Sequence, residues 1–205
     1  MSMTLHNLNS KEGSMINIRD AVVYDLEESI KASKFPMMTD ADKATSSMTN
    51  TQIKLAQCEG GTGHDNWLLG IRVAFTMDIT VKALVEAERY NFLAIVSSTS
   101  TMHKLLDADF DTCYCKYVDR RMIGVMHELL DEFMEDPTDE RKLKLLYSNP
   151  CGFTYSLRFT TNYRQLKTIR KQRPNHFLPE WQEFCEWIDA LPHAYLINGK
   201  EAEVL

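Results

Sequence analysis

Between Leu157 and Arg173 stand six bases and no acid: Arg158, Arg164, Lys167, Arg170, Lys171 and Arg173. At helical spacing Arg164, Lys167 and Lys171 fall on one stripe, while Leu166 and Ile169 turn to the core. A purely solvated basic face usually interleaves Glu for i, i+4 pairing, and this one has none. The guanidiniums of Arg164 and Arg173 can each fork onto a phosphate or onto the edge of a pyrimidine. The whole chain carries a formal charge of −6. Cations concentrated this way in an acidic protein point to binding of a small anion between Arg158 and His176. One half of a subunit contact is the competing reading, because Glu128 to Glu140 holds seven acids and no base.

A second constellation is Gly60-Gly61-Thr62-Gly63-His64-Asp65-Asn66. Three glycines ahead of short polar side chains permit close backbone approach to a ligand, though a tight turn alone explains them as well. Other signatures are absent: no phosphate loop ending in Lys-Ser or Lys-Thr, no dinucleotide fingerprint, no nucleophile elbow. Cys113-x-Cys115 lacks a second ligand pair, so no metal is expected. The acidic balance argues against a nucleic-acid surface. No apolar run approaches the roughly 18 residues of a membrane span. Five cysteines form an odd set without framework spacing, which predicts reduced thiols in a cytoplasmic protein.

The elements that must position these residues follow from periodicity and punctuation. Residues 16–24 and 71–79 alternate as strands, and Phe153 to Phe159 reads as a short third. Asp25-Leu26-Glu27-Glu28 has the form of a capping box, opening a helix that Pro36 stops. Residues 37–50 read as a loop and Thr51 to Gln57 as a helix. Thr80 caps a helix carrying Val81, Leu84, Val85 and Tyr90 on one face. A longer helix, Asp119 to Phe133, turns Met122, Val125, Met126, Leu129, Leu130 and Phe133 inward. Thr138 caps the next, Asp139 to Tyr147. Thr160 or Thr161 caps the basic helix, Pro174 ends it, and Pro179 opens a last helix through Ile188. The expected organisation is a disordered tail over 1–14, one α+β domain over 15–192, and a loosely attached tail over 193–205.

The ordered set Pro150, Asn162, Arg164, Leu166, Arg173, His176, Trp181 and Glu183 resembles the C-terminal signature of the flavin-dependent thymidylate synthases. One residue is slipped between His176 and Trp181. Gly63-His64-Asp65-Asn66 before residues 71–79 is similar to that family's Gly-His turn. Collinear similarity runs over about residues 16–190. The resemblance implies helices around a small, mostly antiparallel sheet, and a homotetramer with sites shared between subunits. It implies FAD as cofactor, a pyrimidine deoxynucleotide as substrate and a folate as one-carbon donor. His64, Asn66, Asn162, Arg164 and His176 would hold the cofactor, and Glu86, Arg89 and Ser100 the substrate. Arg173 would polarise the pyrimidine ring and activate C5.

The chain departs from the family at several of these places. Arg89-Tyr90-Asn91 stands for the family's Arg-His-Arg, and Glu86 for its Gln. Ser100-Thr101-Met102 stands for Ser-x-Arg, after a one-residue insertion. Leu146 replaces a further Arg, Asn66 a Thr or Ser, and Leu69 a Glu. Losing phosphate-binding cations removes charge-assisted bonds of about 1.5–3 kcal/mol each. Ser97 to Thr101 remains as a loop rich in hydroxyl and amide donors. Three functions stay open: an enzyme alkylating C5 of a pyrimidine nucleotide, a nucleotide-binding relative without turnover, and an oligomeric scaffold.

Overall fold

Alternation along residues 71–79 produces the central strand of the sheet. In the computed structural model, which describes residues 2–5 and 13–200, Val73, Phe75, Met77 and Ile79 are buried on one face. Arg72, Ala74, Thr76 and Asp78 lie on the other. This strand, β3 (Arg72–Thr80), belongs to a five-stranded sheet among the described residues, with β1 (Ser2–Leu5), β2 (Asn17–Tyr24), β4 (Ala94–Ser98) and β5 (Thr154–Asn162). The order is β1-β2-β3-β5-β4 and every pair is antiparallel. A bulge in β2 between Arg19 and Val22 puts Asp20 at φ 52°. Arg158 braces it, donating from Nη1 to the Asp20 carbonyl at 2.8 Å and to Thr76 Oγ1 at 3.3 Å.

The helices are α1 (Leu26–Ala32), α2 (Asn50–Gln57), α3 (Val81–Ala87), α4 (Thr101–Lys104), α5 (Arg120–Glu135), α6 (Asp139–Ser148), α7 (Tyr163–Gln172), α8 (Pro179–Asp189) and α9 (Tyr195–Asn198). The apolar face of the sheet packs against α7, α8 and α9, where Phe75 meets Phe159, Phe184 and Trp187 at ring separations of 5.5, 5.7 and 4.7 Å. A smaller core joins α5 and α6 to Leu105, Phe110 and Phe153. No helix among the described residues is long and apolar enough to cross a membrane. All five cysteines are unpaired, and burial pushes the Cys113 and Cys185 thiols up to about 11.

Local departures from the sequence expectations have identifiable causes. Asp25 does not cap α1: it sits at φ 59° and receives Arg72 Nη2 at 2.7 Å. Neither Thr160 nor Thr161 caps α7, because β5 extends through both; Asn162 Oδ1 accepts from the Gln165 amide instead. Thr80 and Thr138 cap α3 and α6 as expected. The helix faces are narrower than the apolar pattern: Val85, Met122 and Val125 are exposed. Ser97 and Ser98, the start of the expected donor loop, instead end the edge strand β4 and pair with Arg158 and Leu157. Ser2–Leu5, placed in the N-terminal tail, pairs along β2.

The expected C-terminal tail includes a helix with Leu196 and Ile197 buried. Two polar ties hold it. The Tyr163 hydroxyl donates to the Pro192 carbonyl, and Asp189 gathers Arg170 at 2.8 Å, Asn198 at 3.0 Å and Lys200 at 3.1 Å. Burial disfavours the Asp189 charge, but these three donors outweigh it and lower its carboxyl from 3.8 to about 2. A depressed carboxyl stabilises the fold above its unfolded value and loses that contribution as pH falls through the folded one. Melting curves of wild type should therefore drop in this acid window. Asp189→Asn should start lower at neutral pH and lose less between 3.8 and about 2.

Candidate functional site

Tyr163, Leu166 and Ile169 bury one side of α7 against the sheet, which leaves its bases to find partners elsewhere. Four of them meet carboxylates from other segments: Arg164 and Lys167 meet Asp65 at 3.1 and 2.9 Å, Arg170 meets Asp189, and Arg173 meets Glu86 at 3.0 Å. Three carboxylates thus serve four of the six bases, and Arg158 and Lys171 have none among the described residues.

At the C-terminal end of α7 lies the first cluster. Arg173 Nη1 donates to Glu86 Oε2, and its Nε donates to the Tyr90 hydroxyl at 2.8 Å. The guanidinium lies over the Tyr90 and Trp181 rings, 5.4 and 4.9 Å from their centroids. His176 Nδ1 accepts from the Leu178 amide at 3.1 Å. The ring proton is thereby assigned to Nε2, which faces Glu86 Oε2 at 3.1 Å. The side chains of Arg173, Glu86 and His176 are 15%, 21% and 21% exposed, so the cluster opens to solvent on one side.

The second cluster lies roughly 13 Å away along the helix, at about 1.5 Å per residue. Asp65 is 1% exposed and is held by Arg164 and Lys167. Lys167 also donates to the carbonyls of Ala56 at 2.7 Å and Cys58 at 2.6 Å, fastening the end of α2 and the glycine turn to α7. Beside it is a cleft of about 640 Å³ bordered by Gly60, Gly61, Arg164, Lys167, Lys171 and the end of α9. Gly61 has φ 94°, which favours glycine, and a Cβ at Gly60 or Gly61 would meet only open space.

The structure brings together Glu86, Arg173 and His176 from the residues singled out in the sequence. Arg164 belongs to the second cluster. His64 and Asn66 are exposed on the glycine turn on either side of buried Asp65, and the Asn162 carboxamide oxygen is used as the α7 cap. Arg89 is exposed, and Ser100 precedes α4 without a side-chain capping bond. Sequence reasoning placed Asp65 in the glycine constellation and Trp181 in the signature without giving either a role, and did not connect Tyr90 with Arg173. The available signal was the absence of acids on α7 itself, which requires that its counter-charges arrive from elsewhere. Asp65→Ala leaves two cations without their carboxylate and should cost about 2–3 kcal/mol in denaturant unfolding. That is less than the roughly 3–5 kcal/mol of a fully buried pair, because Arg164 and Lys167 reach solvent.

No family model matches the chain, and no curated protein matches it in sequence. Solved structures do match in fold. A flavin-dependent thymidylate synthase, ThyX, from Helicobacter pylori in complex with FAD and dUMP aligns with a TM-score of 0.67 at 17% identity, over 86% of this chain and 95% of that one. A UMP/dUMP methylase, PolB, from Streptomyces cacaoi bound with 5-Br dUMP aligns with a TM-score of 0.61 at 13% identity, over 85% and 88% of the two chains. The chain has the fold of the flavin-dependent thymidylate synthases.

Proposed function

We propose that the chain binds FAD and a pyrimidine deoxynucleotide and transfers a one-carbon unit, supplied by a folate, to C5 of the ring. The observation that carries this reading is Arg173, whose guanidinium is fixed against two aromatic rings and bonded on two edges, yet reaches solvent. A cation immobilised this way stabilises enolate-like charge on a pyrimidine without reorganising during the reaction. The fold shared with ThyX and PolB supports the same chemistry.

The cleft's donor set fits the proposed cofactor. Gly60 and Gly61 leave room for close approach, and Arg164, Lys167 and Lys171 supply positive charge for a diphosphate. Arg164 would hold it, with His64 and Asn66 on the same turn and Asn162 at the start of α7. His176 has both ring nitrogens engaged, which leaves its ring face for a cofactor contact. Bound and reduced, the flavin supplies the hydride that completes the methyl group. Glu86, Arg89 and Ser100 remain the proposed substrate contacts, in an assembly we propose to be a homotetramer in the cytoplasm. A second reading, nucleotide binding without turnover, is favoured by one observation: Arg173 already has a carboxylate of its own in Glu86.

Purified protein should absorb as a flavoprotein, or do so after mixing with FAD. A colourless protein that takes up none would sink the enzyme reading. Arg173→Lys keeps the charge but cannot reach Glu86 and Tyr90 together while presenting paired donors to a ring. Its nucleotide affinity should fall ten- to hundredfold, corresponding to roughly 1.5–3 kcal/mol. Calorimetric titration reads the loss, with thermal melts as the folding control. Unchanged affinity at an unchanged melting temperature would make Arg173 a structural residue only.

A further inference from the structure

Resting on the function proposed above, we infer that the base held against Arg173 is cytosine rather than uracil, and that Glu86 makes the choice. Arg173 commits Nε to the Tyr90 hydroxyl and one Nη1 proton to Glu86 Oε2. The other Nη1 proton and both Nη2 protons have no hydrogen-bond partner among the described residues. Glu86 Oε2 already takes Arg173 and His176, which leaves Oε1 as the acceptor beside those donors. His176 cannot exchange roles, since Nδ1 is tied to the Leu178 amide.

The cluster therefore offers two donors and then an acceptor. The complement is two acceptors and then a donor, which is the O2, N3 and N4-amino edge of cytosine. A carboxylate accepting from the cytosine amino group is also a recurrent pairing in base recognition. Uracil presents acceptor, donor, acceptor. In the same pose its N3–H meets an arginine N–H and a carbonyl meets the carboxylate, so two of the three positions oppose like groups. Shifting the uracil satisfies Glu86 through N3–H but leaves only one arginine donor paired. In a neutral Gln at position 86 the amide oxygen would take the place of Oε2 beside Arg173 and His176, turning the NH2 group to the ring, where it opposes the cytosine amino group.

Calorimetric titration of the full chain with excess FAD, against dCMP and dUMP, tests this. Wild type should bind dCMP at least about tenfold more tightly, and Glu86→Gln should abolish that preference or reverse it. If dUMP binds wild type as tightly as dCMP, the choice of base is wrong while pyrimidine binding stands. A preference that survives intact in well-folded Glu86→Gln removes Glu86 from the role. Binding of neither nucleotide overturns this inference together with the proposed function. The wild-type comparison remains decisive even if the variant fails to fold.

Discussion

Arg164, Lys167, Arg170 and Arg173 leave one helix, and each is met by a carboxylate carried on another segment. Without those acids, bases at helical spacing would repel along the helix. Partly burying them without partners would also carry the cost of uncompensated charge. The requirement fixes more than α7. Asp65 must lie under the helix, which sets the glycine turn; Glu86 must reach its far end, which sets the last turn of α3. Asp189 must sit where α8 ends, and there it also captures Asn198 and Lys200. The apolar side of α7 seats the helix on the sheet, and the polar side dictates what surrounds it.

What was legible in the sequence divides along the same line. Strong period-two alternation located β3, and Leu166 and Ile169 were read correctly as the buried side of α7. The α+β class also followed from the pattern of elements, and the thymidylate-synthase-like fold from the family resemblance. The partners of the bases did not. Asp65 looks like one polar residue in a flexible turn, and nothing local says it is 1% exposed. Glu86 and Tyr90 lie far from Arg173 in sequence, so their meeting depends on how the end of α3 and the turn after it are placed against the end of α7. The edges were misread for a related reason: Ser2–Leu5 and Leu196–Ile197 have short, weak patterns and are held by pairing and packing with distant segments.

Departures from the family pattern also take on a different character in three dimensions. Glu86 stands where the resemblance places Gln, and Tyr90 stands where it places the His between two arginines. Both now bond the same guanidinium, one to Nη1 and one to Nε. The two changes form a coupled set around Arg173, with Tyr90 buried and further tied to Gln172 at 2.9 Å. They fix the cation's orientation and cancel much of its long-range field. Such a group attracts a distant phosphate weakly but reads a neutral ring at hydrogen-bond range.

The two ends of α7 therefore suit different chemical groups. Along the cleft, Arg164, Lys167 and Lys171 outnumber the nearby Asp65 and Glu59, and the glycine backbone is open. An anionic portion of a ligand is stabilised there. At the Arg173 end, one guanidinium faces one carboxylate and a histidine whose proton points to that carboxylate. A phosphate placed there would meet Glu86 as well as Arg173, so attraction and repulsion would nearly offset. A heterocycle placed there can use both partners at once. Under the proposed function, charge recognition would fall to the cleft along α7 and ring recognition to the Arg173 cluster at its end. That division fits the departures from the resemblance, since Asn91 stands where it places a second phosphate arginine near Glu86, while Arg173 is present beside Glu86.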